Sequence, residues 1–270
     1  MSWLEALFIG FIQGISEFLP ISSSAHLVIF EKLLHINTGD VDLTFEVFLH
    51  LASLLAVLLY FKEDLLNLVK GSLSYIIKKD VNQAGHFRFV SLMLVSTVIT
   101  MVVGKLLEEW LAESITNTAT IGAALIITGI FLILIEHGVS QGMRGPSEMT
   151  WKHAIFIGLG QALAVIPGIS RAGSTLVAAL WCGLSKETAL RYSFLLSIPI
   201  ITGITLLKLP ELIGQFSHGI NNELWIAFIS SFLFALIGIK WLISMVQQAK
   251  LSYFAVYCVS LGLVTWIFLT

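Results

Sequence analysis

The sequence predicts an all-α polytopic membrane protein, with about six transmembrane helices plus two re-entrant helical hairpins in an inverted-topology repeat, forming a single membrane domain over 1–270. Three observations carry that prediction. Hydrophobic residues make up 57% of the 270 positions and charged residues only 12%, about half the charged fraction of a soluble domain. Apolar runs of about 20 residues, the length a helix needs to cross roughly 30 Å of hydrocarbon, recur near 44–61, 89–107, 118–137, 190–207, 223–245 and 251–269. Two further apolar stretches, 1–33 and 152–184, are longer and are interrupted midway, by Phe18-Leu19-Pro20-Ile21-Ser22-Ser23-Ser24 and by Ile166-Pro167-Gly168-Ile169-Ser170-Arg171.

Taken in order, each element has its own justification. A helix broken at membrane depth is tolerated only where the freed backbone groups line a protein-buried or watery cavity, so 1–33 and 152–184 are expected to be hairpins whose tips meet inside the protein. The segment 62–88, which reads as a loop, holds Lys62, Lys70, Lys78, Lys79 and Arg88; 138–152 holds Arg144 and Lys152; 184–191 holds Lys186 and Arg191. Basic residues resist translocation, which makes these three loops cytoplasmic. The opposite face is acidic, with Glu31, Asp40, Asp42, Glu108, Glu109 and Glu113. Threading the spans through these constraints puts both termini outside, with the first hairpin entering from outside and the second from inside. Ile9, Gly10, Gln13, Ile21 and Ser22 recur 148 positions later as Ile157, Gly158, Gln161, Ile169 and Ser170. The repeat halves are therefore expected at about 1–137 and 150–270, and helix breaks at equivalent places point to a ligand site near the midplane.

Composition also excludes functions. A net charge of −2 lacks the clustered basic surface that a nucleic-acid partner requires. Cys182 and Cys258 sit in apolar runs and suggest neither a disulfide framework nor a metal cluster. Glu5 stands where a cleavable signal would carry basic residues. Trp3, Trp110, Trp151, Trp225 and Trp241 lie near segment ends, as in an interfacial aromatic belt.

Ionisable side chains in hydrocarbon cost roughly 2.5–3.5 kcal/mol each and are presumed functional. Glu17 and His26 flank the first break and Arg171 the second, so meeting hairpins would unite an acid, an imidazole and a fixed cation. Ser22, Ser23 and Ser24 follow Pro20, while Ser170, Ser174 and Thr175 surround Arg171. Both clusters open a new helix, whose unpaired N–H groups and dipole suit a phosphate. Ser23 and His26 share a helical face, which allows the imidazole to accept a hydroxyl proton. Glu17 could orient His26 or hold a divalent cation, and Arg171 could neutralise phosphoryl oxygens. Glu46 and His50, one turn apart at the mouth of a span, could reach the cavity but read first as a local pair, and Glu136 and His137 read as interfacial charge. A transporter or flippase of a phosphorylated lipid is the rival function, because inverted repeats with broken helices are its usual architecture.

The stretch from Gln13 to His26, with Pro167-Gly168-Ile169-Ser170-Arg171-Ala172-Gly173-Ser174-Thr175, resembles the motifs of the undecaprenyl-pyrophosphate phosphatase family linked to bacitracin resistance. The resemblance covers nearly the whole chain. It implies a bacterial inner-membrane phosphatase that removes the terminal phosphate of undecaprenyl diphosphate and recycles the lipid carrier for cell-wall synthesis. It further implies a polyprenyl diphosphate substrate and a divalent cation, Mg2+ or Ca2+, as cofactor, and it is compatible with a homodimer. The depth of the first hairpin, which supplies most of the reactive groups, favours a site opening on the periplasmic or outer side. Carried over by position, it places Glu17, Ser23, His26 and Arg171 in the catalytic group, with Gln13, Ser22, Ser24, Ser170, Ser174 and Thr175 as substrate contacts and Glu17 as the metal ligand. Gln13 stands where many members have Glu, and Ala172 replaces the serine that follows the arginine. A second membrane family, the type 2 phosphatidic-acid phosphatases, shares only a faint echo of these motifs: this chain has no Arg-Pro pair and no histidine between Ala172 and Val177.

Overall fold

Helices that leave apolar faces outward dominate the structure, a computed structural model that describes residues 1–34, 42–111, 117–138, 142–216 and 222–269. In chain order they are α1 (Trp3–Phe18), α2 (Ser23–Leu34), α3 (Asp42–Tyr60), α4 (Lys62–Lys78), α5 (Ala84–Leu111), α6 (Thr118–Gly138), α7 (Trp151–Ala162), α8 (Arg171–Trp181), α9 (Lys186–Leu207), α10 (Leu209–Phe216), α11 (Asn222–Gln247) and α12 (Leu251–Phe268). Five of the helical segments are long and apolar enough to cross a membrane, and α3 with α4 makes a sixth candidate bent by 76°. Among the described residues, five of the six expected spans are thus helices of crossing length, the stretch near 44–61 qualifies only together with α4, and the two interrupted stretches each form a pair of helices with a break between them. The segment 62–88 differs from expectation: most of it is the helix α4, whose Leu65, Leu66, Leu68, Val69, Leu73, Ile76 and Ile77 have helical spacing that the lysines between them masked. Asp40 and Glu113, which entered the orientation argument, lie outside the described residues, as does the side chain of Asp42.

Small residues set how closely the helices pack, as expected where lipid removes the hydrophobic drive between them. Helix α1 lies along α11, and a Cβ on Gly10 or Gly14 would fall 2.2 Å from the carbonyl oxygens of Ala227 or Ser231. Helix α7 lies along α5, and a Cβ on Gly158 would fall 2.8 Å from the carbonyl oxygen of Ser96. Hydroxyls on the long helices reinforce both contacts: Ser230 donates to the carbonyl of Leu7 at 2.8 Å and Ser96 to that of Ala154 at 2.7 Å. Each hairpin thus packs against a long span from the other part of the chain, and α6 pairs with α12 through Gly122 and Gly262.

The breaks themselves meet. Helix α1 ends at an extended Leu19, and Ser22 adopts a left-handed φ of 69° just before α2 resumes at Ser23. Helix α7 ends in a 3₁₀ turn over Leu163–Val165, Gly168 turns at φ 105°, and Ser170 caps α8 by accepting from the N–H of Gly173 at 3.0 Å. The N–H of Gly168 donates to Ser22 Oγ at 3.0 Å, and the Ser170 hydroxyl reaches the carbonyl of Leu19 at 3.4 Å. Thr128 on α6 pins the second break by donating to the carbonyl of Gly168 at 2.9 Å and accepting from the N–H of Ser170 at 3.3 Å. Cys258 Sγ approaches the Pro20 carbonyl at 3.7 Å from α12.

Candidate active site

The convergence of the breaks brings three of the four expected catalytic residues into one cluster around Glu17. Its side chain is 1% exposed and forms an ion pair with Arg171 through Oε1. Its other oxygen, Oε2, accepts from the Ser23 hydroxyl at 2.7 Å and from Gln13 Nε2 at 2.8 Å, and lies 3.3 Å from His50 Nε2. A lone buried carboxylate would be prohibitively costly, and these partners compensate that cost. Arg171 is committed to Glu17 through one Nη2 while its side chain is 18% exposed, so the remaining donors of its fork are left for an incoming anion. Ser23 and Ser24 are half-buried at the start of α2, and of the two it is Ser23 that reaches this cluster.

His26 is placed differently from the sequence expectation. Its Nδ1 meets the carbonyl of Ser22 at 2.7 Å, its Nε2 meets the Tyr257 hydroxyl at 2.8 Å, and it is 2% exposed. The Ser23 hydroxyl turns instead to Glu17. Spacing along α2 allowed a Ser23–His26 pair, but Nδ1 turns instead to the carbonyl one turn back, as His50 does to Glu46. Tyr257 also stacks on His26 with ring centroids 5.5 Å apart, so both ring nitrogens of His26 hold the fold of the break.

The other expected contacts are present but largely engaged within the protein. Ser22 Oγ accepts from Gly168 N–H and lies 3.4 Å from Ser24 Oγ. Ser170 is the α8 cap, Ser174 donates to the Ser170 carbonyl at 2.8 Å, and Thr175 bonds the carbonyl of Arg171 and the hydroxyl of Ser193. Capping, the plainer role of these hydroxyls, is what the geometry displays around α8.

Sequence reasoning undervalues His50 and misses Tyr257. His50 belongs to the cluster: its Nδ1 bonds the Glu46 backbone carbonyl at 2.8 Å, and its Nε2 turns to Glu17. The reading of Glu46 and His50 as a closed local pair is corrected here, since the link runs through the backbone and leaves the second nitrogen for the site. An imidazole well inside the span 44–61 was itself the signal. Tyr257 gave almost none, because one tyrosine in an apolar helix resembles packing. Glu136, by contrast, is a structural cap, accepting from the N–H and hydroxyl of Ser252 at 2.7 and 2.8 Å.

A divalent cation finds a limited donor set. Among the described residues no group of three His, Cys, Asp or Glu side chains is arranged to hold a metal. Gln13 Oε1 is buried with no hydrogen-bond partner, one helical turn from Glu17. One carboxylate and one orphaned amide oxygen suit a hard cation that takes its remaining ligands from water and substrate phosphate.

The family described as bacitracin resistance protein BacA matches residues 6–264. The undecaprenyl-diphosphatase 2 of Halalkalibacterium halodurans is 47% identical, covering 97% of this chain and 95% of that protein. The undecaprenyl-diphosphatase 1 of Shouchella clausii is 44% identical over 99% of this chain and 97% of its own. The undecaprenyl-diphosphatase of Oceanobacillus iheyensis is 38% identical over 97% and 94%.

Proposed function

Because the chain belongs to the bacitracin resistance protein BacA family, we infer that it is an undecaprenyl-diphosphatase, an integral membrane hydrolase that converts undecaprenyl diphosphate to undecaprenyl phosphate and inorganic phosphate and so recycles the lipid carrier for cell-wall synthesis. The observation that carries the mechanism is the single buried carboxylate of Glu17, which holds a hydroxyl from one break and a guanidinium from the other.

The prenyl chain lies between spans in the lipid and the diphosphate enters where the hairpin tips meet. Ser23 attacks the terminal phosphorus; its O–H breaks as the Ser O–P bond forms, and the bridging P–O bond breaks to release undecaprenyl phosphate. The proton passes to Glu17 Oε2, which the hydroxyl already faces at 2.7 Å. Arg171 keeps one edge on Glu17 and turns its free donors to the phosphoryl oxygens, where charge spreads in the transition state. Water then cleaves the phosphoserine and the proton returns to Ser23. His26, fixed at both nitrogens, preserves the left-handed turn that aims Ser23, and Ser22, Ser24 and Ser174 line the approach. A divalent cation, Mg2+ or Ca2+, would be held by Glu17 and Gln13 Oε1 and would supply further neutralisation of the diphosphate.

This assignment also covers architecture and place. The two halves, about 1–137 and 150–270, form an inverted repeat within a single domain, supported by the reciprocal packing of α1 on α11 and α7 on α5. The protein resides in the bacterial inner membrane as a multi-pass protein, with the pocket opening to the outer side because the basic segments gather at the opposite face. The test is release of inorganic phosphate from a polyprenyl diphosphate by purified protein in detergent, where no compartments exist. Release that is lost in Ser23→Ala and Arg171→Ala is the expected result; phospholipid translocation without release would assign a carrier instead.

A further inference from the structure

Helix α4 has three faces. Leu68, Gly71 and Ser72 are buried against the bundle, whereas Leu66, Val69, Leu73, Ile76 and Ile77 are each half or more exposed. Between these faces runs a polar flank of Asn67, Lys70, Ser74 and Lys78, spanning about 80° of helical arc beside Leu66, Leu73 and Ile77. That flank walls an open groove of about 760 Å³, bordered on the far side by Gln83 and by His86 at the start of α5. Gly71 allows this close approach, since a Cβ there would lie 2.7 Å from the His86 ring and 2.9 Å from Gln83 Oε1.

The cations in this groove are unpaired. Among the described residues neither Lys70 nor Lys78 forms an ion pair. Of the acids on the same helix and its turn, Asp64 is held by Arg191 at 2.9 Å, Asp80 accepts from the N–H of Asn82 at 3.1 Å, and Glu63 is exposed in the first turn. Helix α4 leaves α3 at 76°, and the membrane-crossing segment Val81–Leu111 begins just past it. The groove therefore lies next to the start of a segment of membrane-crossing length, with two ammonium groups on its polar side and leucine and isoleucine on its apolar side.

We propose that this groove is a binding site for the phosphate headgroup of an anionic glycerophospholipid of the surrounding bilayer. Lys70 and Lys78 hold the phosphate, and Leu66, Leu73 and Ile77 lie along the acyl chain, as for basic amphipathic segments at membrane surfaces. A second copy of the chain fits this face poorly, because a two-fold contact through α4 would set lysines against lysines. The site shares no residue with the Glu17 cluster.

The experiment follows thermal unfolding of the detergent-solubilised full chain during titration with short-chain phosphatidylglycerol, phosphatidylcholine or inorganic phosphate. Phosphatidylglycerol alone is expected to raise the midpoint, and half-saturation in Lys70→Gln/Lys78→Gln is expected to need about thirty-fold more lipid, about fivefold per lysine. Lys70→Gln alone gives the fivefold step should the double variant fold poorly, and phosphate release by either variant in zwitterionic detergent is expected to match the parent. An equal response of parent and variants to phosphatidylglycerol overturns the site. So does an equal response to inorganic phosphate or to phosphatidylcholine, or a parent dimer that the lysine substitutions dissociate, which would give the face to a second copy.

Discussion

The two broken hairpins share one scaffold and divide the chemistry between them. In each, a glycine (Gly10 or Gly158) lets the first helix press on a long span, a glutamine follows (Gln13 or Gln161), and a hydroxyl (Ser22 or Ser170) marks the break. Past the glutamines they diverge. Gln13 reaches Glu17 at 2.8 Å, whereas the position 148 residues beyond Glu17 is Val165, and Gln161 turns instead to Thr100 at 3.0 Å. The first hairpin thus supplies the acid and the hydroxyl, and the second supplies the permanent cation. The difference teaches that hairpin geometry alone makes a polar hollow, and that the site exists only where unlike side chains from the two tips meet.

The largest test of that division removes one contribution from each side. Arg171→Ala and Ser23→Ala are each expected to lower phosphate release at least about a hundredfold, the scale for losing an electrostatic or nucleophilic group. They should part company in stability: Arg171→Ala strands a buried carboxylate and is expected to cost about 3–5 kcal/mol in unfolding free energy, whereas Ser23→Ala leaves the ion pair intact. Arg171→Lys keeps the charge but not the planar fork, so it should recover most of the stability and little of the activity. Full activity in Ser23→Ala would replace the phosphoserine with direct attack by water.

Next in size is the third side chain on Glu17. His50→Ala is expected to reduce turnover about tenfold, with a smaller change in KM, as the proton that reaches Glu17 loses an adjacent acceptor. His50→Gln should recover the packing, seen as a restored melting temperature, without restoring turnover. Equal turnover in parent and His50→Ala would return His50 to the merely local role that its spacing from Glu46 suggests.

Much of this arrangement was legible in the sequence because its strongest signals are local. Apolar run length gave the spans, Pro and Gly gave the breaks, and the cost of charge in hydrocarbon singled out Glu17, His26 and Arg171. The facts set by tertiary position were not legible. Spacing along α2 permits Ser23 to face His26, but it cannot reveal that Ser22 is left-handed, nor that Tyr257, 231 positions away, waits at the imidazole. The same limit hid the role of His50, whose partner lies on another helix, and α4, whose lysines resembled a loop until its apolar spacing was folded into a helix.

Tyr257 sharpens the contrast between the tips, because only the first break is held by an imidazole braced from α12. Tyr257→Phe keeps the stacked ring and removes the hydroxyl that meets His26 Nε2. The expected outcome is a fewfold loss of turnover with stability changed by about 1 kcal/mol, the ordinary net worth of a hydrogen bond. The check is the ¹⁵N resonance of His26, assigned by its disappearance in His26→Asn, which should shift only if that nitrogen loses its partner.

The turns that make the two tips carry one large and one very small expected change in stability. Gly168→Ala forces a Cβ to 2.6 Å from the Ile121 carbonyl oxygen at a φ of 105°, a position where only glycine fits without moving α6, so a marked fall in melting temperature is expected. Ser22 is also left-handed, at φ 69°, and there the opposite substitution is informative. Ser22→Gly relieves a backbone strain of roughly 1–2 kcal/mol but removes the acceptor for the Gly168 N–H, a hydrogen bond of about the same worth. The two terms nearly cancel, so the melting temperature should scarcely move while turnover falls, because a freely turning residue 22 no longer aims Ser23 at Glu17. If turnover were unchanged as well, the aim of the hydroxyl would be set by Glu17 alone and the strained turn would be only a feature of packing.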